Sequence, residues 1–213
     1  MTSRKIPKDL WRIDINNTAL VIVDMQRAFV DEGSPLECIG ARELISKINR
    51  LTASCRKLKI PVIFVKADRR ADLSDSGLFS DFADFASYQR NDEMDPRQGR
   101  RGNEFCDGLN ITRDDYIIPK IRYSAFIPGS SSLEPLLRGL GRDRFIICGV
   151  ATDVCIGATT IDGMMLGFKV FLVGDLTATF SQERQKIALE VYDRHFAKVM
   201  NFNEVMEELK QKE

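Results

Sequence analysis

The stretch RFIICGVATDVCIGATT, residues 144–160, changes periodicity within a few positions. It begins as a continuous apolar, β-branched run, the pattern of a strand buried on both faces. Small and polar residues follow, and then a helical pattern, CIGATTIDGMMLG (155–167), closed by Gly167. A strand that passes through a short turn into a helix is half of a βαβ unit. Five other runs share the strand character: TALVIVDMQ (18–26), IPVIFVKAD (60–68), DYIIPKI (115–121), FKVFLVGDLT (168–177) and AKVMNF (197–202). Helical patterns lie between them. In 41–58, Leu44, Ile48, Leu51, Cys55 and Leu58 recur at steps of 4, 3, 4 and 3, one face of a helix. SSLEPLLRGLG (131–141) and SQERQKIALEVYDRHF (181–196) read as the other helices. This alternation predicts a three-layer α/β/α, Rossmann-like fold with a mostly parallel, roughly six-stranded, doubly wound sheet.

The chain has 213 residues and no linker that would split it, so residues 1–213 read as a single domain. Residues 69–114 break the rhythm with little periodicity and read as an insertion or lid over the sheet edge. Lys plus Arg balance Asp plus Glu at 31 each, which calls for neither nucleic acid nor an anionic membrane as partner. No apolar run approaches the ~20 residues that span a bilayer. The opening MTSRKIPKDLWRIDINN lacks the apolar core of a signal peptide. The five cysteines are scattered with no CxxC pair, which fits reduced thiols in a cytoplasmic protein better than disulfides or a zinc site.

In an open parallel sheet, sites form beyond the carboxyl ends of the strands. Three reactive residues fall there: Asp24 at the end of ALVIVD, Lys120 at the end of YIIPK, and Cys155 after FIICGVATDV. Each also has a plainer reading. Cys155 could be a small buried filler, Lys120 a surface residue extending its ammonium to solvent, and Asp24 one half of a structural ion pair. Together they make coherent chemistry. The thiolate is the nucleophile, and a helix start with a neighbouring ammonium is expected to lower the thiol pKa from about 8.5. Asp24 could take the thiol proton and pass it to a leaving nitrogen. The N–H groups of the turn could hold an oxyanion. The chain's one histidine, His195, lies in the last helical pattern, which makes a Cys–His pair the weaker design. Cys148, inside a strand run, is assigned to the core.

The segments ALVIVDMQRAF, IPKIRYSAF and ICGVATDVCIGATTIDGMMLGFKVFLVGD, in that order and spacing, resemble three signature segments of the isochorismatase-like hydrolase superfamily, in its cysteine hydrolase branch. The similarity runs from about Thr18 to about Val205. The resemblance implies an Asp24–Lys120–Cys155 triad, a cis peptide at Val150–Ala151, and an oxyanion hole formed by the backbone N–H groups of Ala151 and Cys155. It also implies a homodimer or homotetramer, a small-molecule substrate and no cofactor. Nicotinamidases of the superfamily carry an Asp-x-His-x-His metal site after the second strand. Here that region reads VKADRRADLSDSG, without histidine, so no metal is expected. The presence of Cys155 favours cleavage of a C–N bond in an amide, carbamoyl or ureido group. The alternatives are an isochorismatase-type vinyl ether hydrolase and a catalytically silent or redox-sensing member. Phe29, Arg69 and Tyr123 are the candidate pocket residues; Arg69 reads either as a clamp for a substrate carboxylate or as a solvated charge.

Overall fold

The computed structural model describes residues 10–34, 36–70, 74–75, 77–78 and 101–211. Six strands form one sheet: β1 (Thr18–Val23), β2 (Val62–Ala67), β3 (Tyr116–Lys120), β4 (Arg144–Val150), β5 (Lys169–Ala178) and β6 (Lys198–Met200). Every pairing is parallel, in the order β3-β2-β1-β4-β5-β6. The order runs outward in both directions from the β1/β4 pair, and the crevice where it reverses is where open α/β sheets hold their ligands.

The helices are α1 (Arg27–Val30), α2 (Ala41–Lys57), α3 (Leu133–Gly139), α4 (Gly157–Met165), α5 (Gln182–His195) and α6 (Phe202–Lys210). Successive β1 residues point to opposite faces, and the core divides accordingly. Leu20 and Ile22 pack with α2 and α6, while Ala19, Val21 and Val23 pack with α3, α4 and α5. The face expected for α2 is the buried one: Leu44, Ile48, Leu51 and Cys55 are all in the core, with Leu58 packed at its edge. Two helices escape the sequence reading, the short α1 and the C-terminal α6. The second opens with an Asn201/Glu204 capping box. His195 therefore ends the penultimate helix, not the terminal one.

The sheet is tightest at the future site. Gly149 has φ 113°, and a Cβ there would lie 2.1 Å from the Val23 carbonyl oxygen. Only glycine lets β4 approach the end of β1 this closely. The long 69–114 insertion falls largely outside the described residues. Its returning part, from residue 101, comes back through a 3₁₀ turn at Arg101–Asn103 and lies against the end of β1, with a bridge between Gln26 and Phe105.

Candidate active site

Asp24 is the first residue past β1. Its N–H still donates to Val65 O of β2 at 2.8 Å, but its backbone is left-handed at φ 52°. Aspartate is among the few side-chain-bearing residues that tolerate this region. The turn lifts the carboxylate out of the sheet's hydrogen-bonding plane at its carboxyl edge. Lys120 is the last residue of β3, one strand beyond β2 from the end of β1. The two are buried, at 1% and 0% exposure, and their charged atoms lie 2.9 Å apart.

Cys155 completes the group. The expectation of a helix beginning at Cys155 is corrected here: β4 ends at the cis Val150–Ala151 peptide, and Thr152–Ile156 form a π-helical turn that runs directly into α4. The flanking Val154 and Ile156 N–H groups both donate to Ala151 O at 3.1 Å, and the Cys155 N–H between them does not. The Lys120 ammonium donates to Cys155 Sγ at 3.3 Å and to Arg122 O at 3.1 Å. The same ammonium also faces Asp24 Oδ2 at 2.9 Å. Among the described residues, neither carboxylate oxygen of Asp24 receives a hydrogen bond of good geometry, so its contact with Lys120 is an ion pair.

The surface reading of Lys120 thus fails, because its ammonium is buried; Asp24 does form an ion pair, with Lys120, and the same ammonium touches Cys155. The electrostatics also correct one expectation. The Cys155 thiol is not lowered but pushed up to about 12, first by burial and then by the Asp24 charge, which together outweigh Lys120. Burial would lower Lys120, but Asp24 and Cys155 raise it past its ordinary value. A thiolate here would be a negative charge in a dry site beside a carboxylate, which is why the thiol is raised. Moving one proton from thiol to carboxylate conserves the site's net charge.

Two hydrogen-bond networks hold this geometry, and neither is apparent from the sequence. On the nucleophile side, Thr152 Oγ1 donates to Gln185 Oε1 at 2.6 Å, and Gln185 Nε2 donates to Thr177 O at 3.1 Å. Asp153 accepts from Thr179 Oγ1 and Arg184 Nε. The turn is thereby tied to the end of β5 and the first turn of α5. On the other side, Gln26 and Asn103 join β1, β2 and the returning segment. Gly157 packs so closely on Tyr192 that a Cβ would lie 2.0 Å from its hydroxyl.

The three pocket candidates separate. Arg69 is buried at 6% exposure, with Nε donating to Ile121 O at 3.1 Å, near enough to Lys120 to oppose its charge. The solvated reading of Arg69 is excluded. Phe29 packs with Leu36 and Phe180 in a small apolar cluster. Tyr123 stands on the loop after β3, 38% exposed.

Residues 18–204 match the isochorismatase domain as a protein family. The chain belongs to the isochorismatase family. Within it, the chain is 33% identical over 175 residues to a probable inactive nicotinamidase of Arabidopsis thaliana, covering 81% of this chain and 84% of that one. It is 29% identical to the ureidoacrylate amidohydrolase of Pseudomonas syringae pv. syringae, over 85% of this chain and 80% of the relative. Its structure superposes on a cysteine hydrolase from Pseudomonas syringae pv. phaseolicola with a TM-score of 0.85 at 26% identity, covering 95% and 97% of the two chains. Isochorismatase-family folds thus account for the six parallel strands and for helices on both faces.

Proposed function

We propose that this isochorismatase-family chain is a cysteine hydrolase that cleaves a C–N bond in a small amide, carbamoyl or ureido substrate. The observation that carries the reading is the unbroken buried contact from Asp24 through Lys120 to Cys155, at 2.9 and 3.3 Å. Asp24 takes the thiol proton as sulfur attacks the substrate carbonyl, so the thiolate forms against Lys120 only when it is used. The Ala151 and Cys155 N–H groups stabilise the oxyanion. The tetrahedral intermediate collapses, the C–N bond breaks, and the Asp24 carboxyl returns its proton to the leaving nitrogen. Asp24 then takes a proton from water as it attacks the thioester, and the acid leaves with Cys155 reprotonated. Arg69, the candidate whose charge is felt at Lys120, would face an acidic group of the substrate.

A second reading, a silent member, is favoured by the raised thiol and by the relative named as an inactive nicotinamidase. One experiment separates them: an ammonia-release screen over primary amides, carbamoyl amino acids and ureido acids, with Cys155→Ala alongside. Turnover of at least one compound, lost in the variant together with a trapped thioester mass, is expected. No turnover of any class, and no adduct at Cys155, would favour the silent reading.

A further inference from the structure

The geometry points to Gln26 as a positioning residue for this reaction, its side-chain amide acting as a missing piece of strand that sets Asp24 and Lys120 in register. The inference rests on the triad reading above.

In a parallel sheet, a residue's N–H and C=O both point to one neighbouring strand. Ala67, at the end of β2, directs both toward β1, but β1's backbone leaves the sheet at Asp24, where φ is 52°. The gap is filled by a side chain. Gln26 Oε1 accepts from the Ala67 N–H at 2.8 Å, and Gln26 Nε2 donates to the Ala67 carbonyl at 3.0 Å. A primary amide carries one acceptor and two donors in the plane of a peptide group, and here it replaces one. Its orientation is fixed by chemistry: Nε2 faces three oxygens, those of Ala67 O, Asn103 O and Asn103 Oδ1, at 2.9–3.0 Å. The side chain is fully buried, so every one of these bonds would be left unmade by its loss.

The consequence reaches the catalytic groups from both sides. Gln26 N–H donates to Asp24 O at 2.7 Å and so closes the turn that presents the carboxylate. Ala67 is the register partner of Lys120, and the next N–H, that of Asp68, donates to Lys120 O at 2.9 Å. The side-chain amide therefore ties Gln26, whose own backbone closes the Asp24 turn, to β2, the strand that lies between β1 and the Lys120 strand. Through Asn103, which also donates to Asp68 at 2.9 Å, it anchors the returning segment over the same junction. The charged groups around it are Asp24, Lys120, Asp68 and Arg69.

The test uses the full chain and p-nitrophenyl acetate as the acylating probe, following p-nitrophenolate release and the acetyl adduct at Cys155 by mass spectrometry across pH. Gln26→Met keeps the length and volume but neither donor nor acceptor. The expected result, well below the variant's own melting temperature, is a plateau acylation rate lowered by about tenfold or more with a shifted pH midpoint. A variant that melts earlier but acylates with the wild-type plateau and midpoint would show a purely structural residue and overturn the inference. Should Gln26→Met fail to fold, Gln26→Glu keeps the acceptor for the Ala67 N–H, and the same two readings decide. If the wild-type chain acquires no adduct that Cys155→Ala removes, the triad reading itself falls and takes this inference with it.

Discussion

Two thiols seven residues apart, Cys148 in the middle of β4 and Cys155 in the turn beyond its end, show how this fold separates packing from chemistry. Both are buried, and burial is the first cause that raises the pKa of each. Around Cys148 there is core: Leu20, Ile22, Val62 and Phe64 belong to the same cluster. Around Cys155 there is also an ammonium at 3.3 Å and, across it, a carboxylate. Desolvation alone makes an inert thiol. On the proposed mechanism, desolvation beside a base that takes the proton, and a cation that faces the resulting sulfur anion, makes one that ionises on demand.

The sharpest way to break the comparison is to delete each sulfur in turn. Cys155→Ala is expected to lower hydrolysis of any compound found in the amide screen by about 10³-fold or more. Cys148→Ala should leave the rate within about threefold and lower stability instead, by about 1–2 kcal/mol for a small buried group. Steady-state kinetics and denaturant unfolding of both variants check the pair. Comparable rate losses in the two would mean that Cys155 acts by packing.

The next effect sharpens the role of the partner carboxylate, and its sign is unusual. Asp24→Asn removes the base, so turnover should fall by about 10²–10⁴-fold. It also removes the charge that pushes the Cys155 thiol up while Lys120 remains to pull it down. Iodoacetamide should therefore modify Cys155 faster at pH 8 in Asp24→Asn than in the wild-type chain. In the wild-type chain at pH 6.5, Cys155 should label no faster than Cys106, whose thiol is pushed only to about 11. Slower alkylation of Asp24→Asn would show that Asp24 is not ionised at rest.

The difference between the two cysteines also marks what the sequence could disclose. Cys148 was legible from its own neighbours, because an apolar β-branched run on both sides specifies a doubly buried strand. The same signal, repeated six times with helical patterns between, made the sheet and its helices legible. Asp24, Lys120 and Cys155 were legible as strand-end residues and, as a set, through the family resemblance. Their electrostatics were not. Whether a thiol is lowered by a helix start or raised by burial depends on how tightly Gly149 and Gly157 close the fold around it, which no local pattern reports. Gln26 and Asn103 were hidden for another reason. Their partners lie 41 and 77 residues apart in the chain, and nothing in a polar residue after a strand states which carbonyl it will meet. The one available hint was Gln26 itself, an amide where a buried strand ends with no obvious solvent to receive it.

The smallest expected effect is the one in which the two thiols should behave alike. Each has a folded-state pKa above its unfolded value of 9.0. Below pH 9 both states hold the proton, and the stabilising contribution is complete. As pH rises above 9 the unfolded chain gives up a proton that the folded chain keeps, so stability falls, at about 1.4 kcal/mol per pH unit for each such thiol once the unfolded thiol is ionised. Lys120, also raised above its ordinary value, lowers stability in the same direction as pH nears 10.5, but it is present in every variant compared. Urea unfolding between pH 8.5 and 10.5 should then show a shallower decline for Cys148→Ala and for Cys155→Ala, by the same amount, and twice that in the double variant. The comparison breaks if only Cys148→Ala flattens the curve. In that case Cys155 has no proton to keep: it rests as a thiolate against Lys120, Asp24 carries the proton before substrate arrives, and the order of the first two steps of catalysis is reversed.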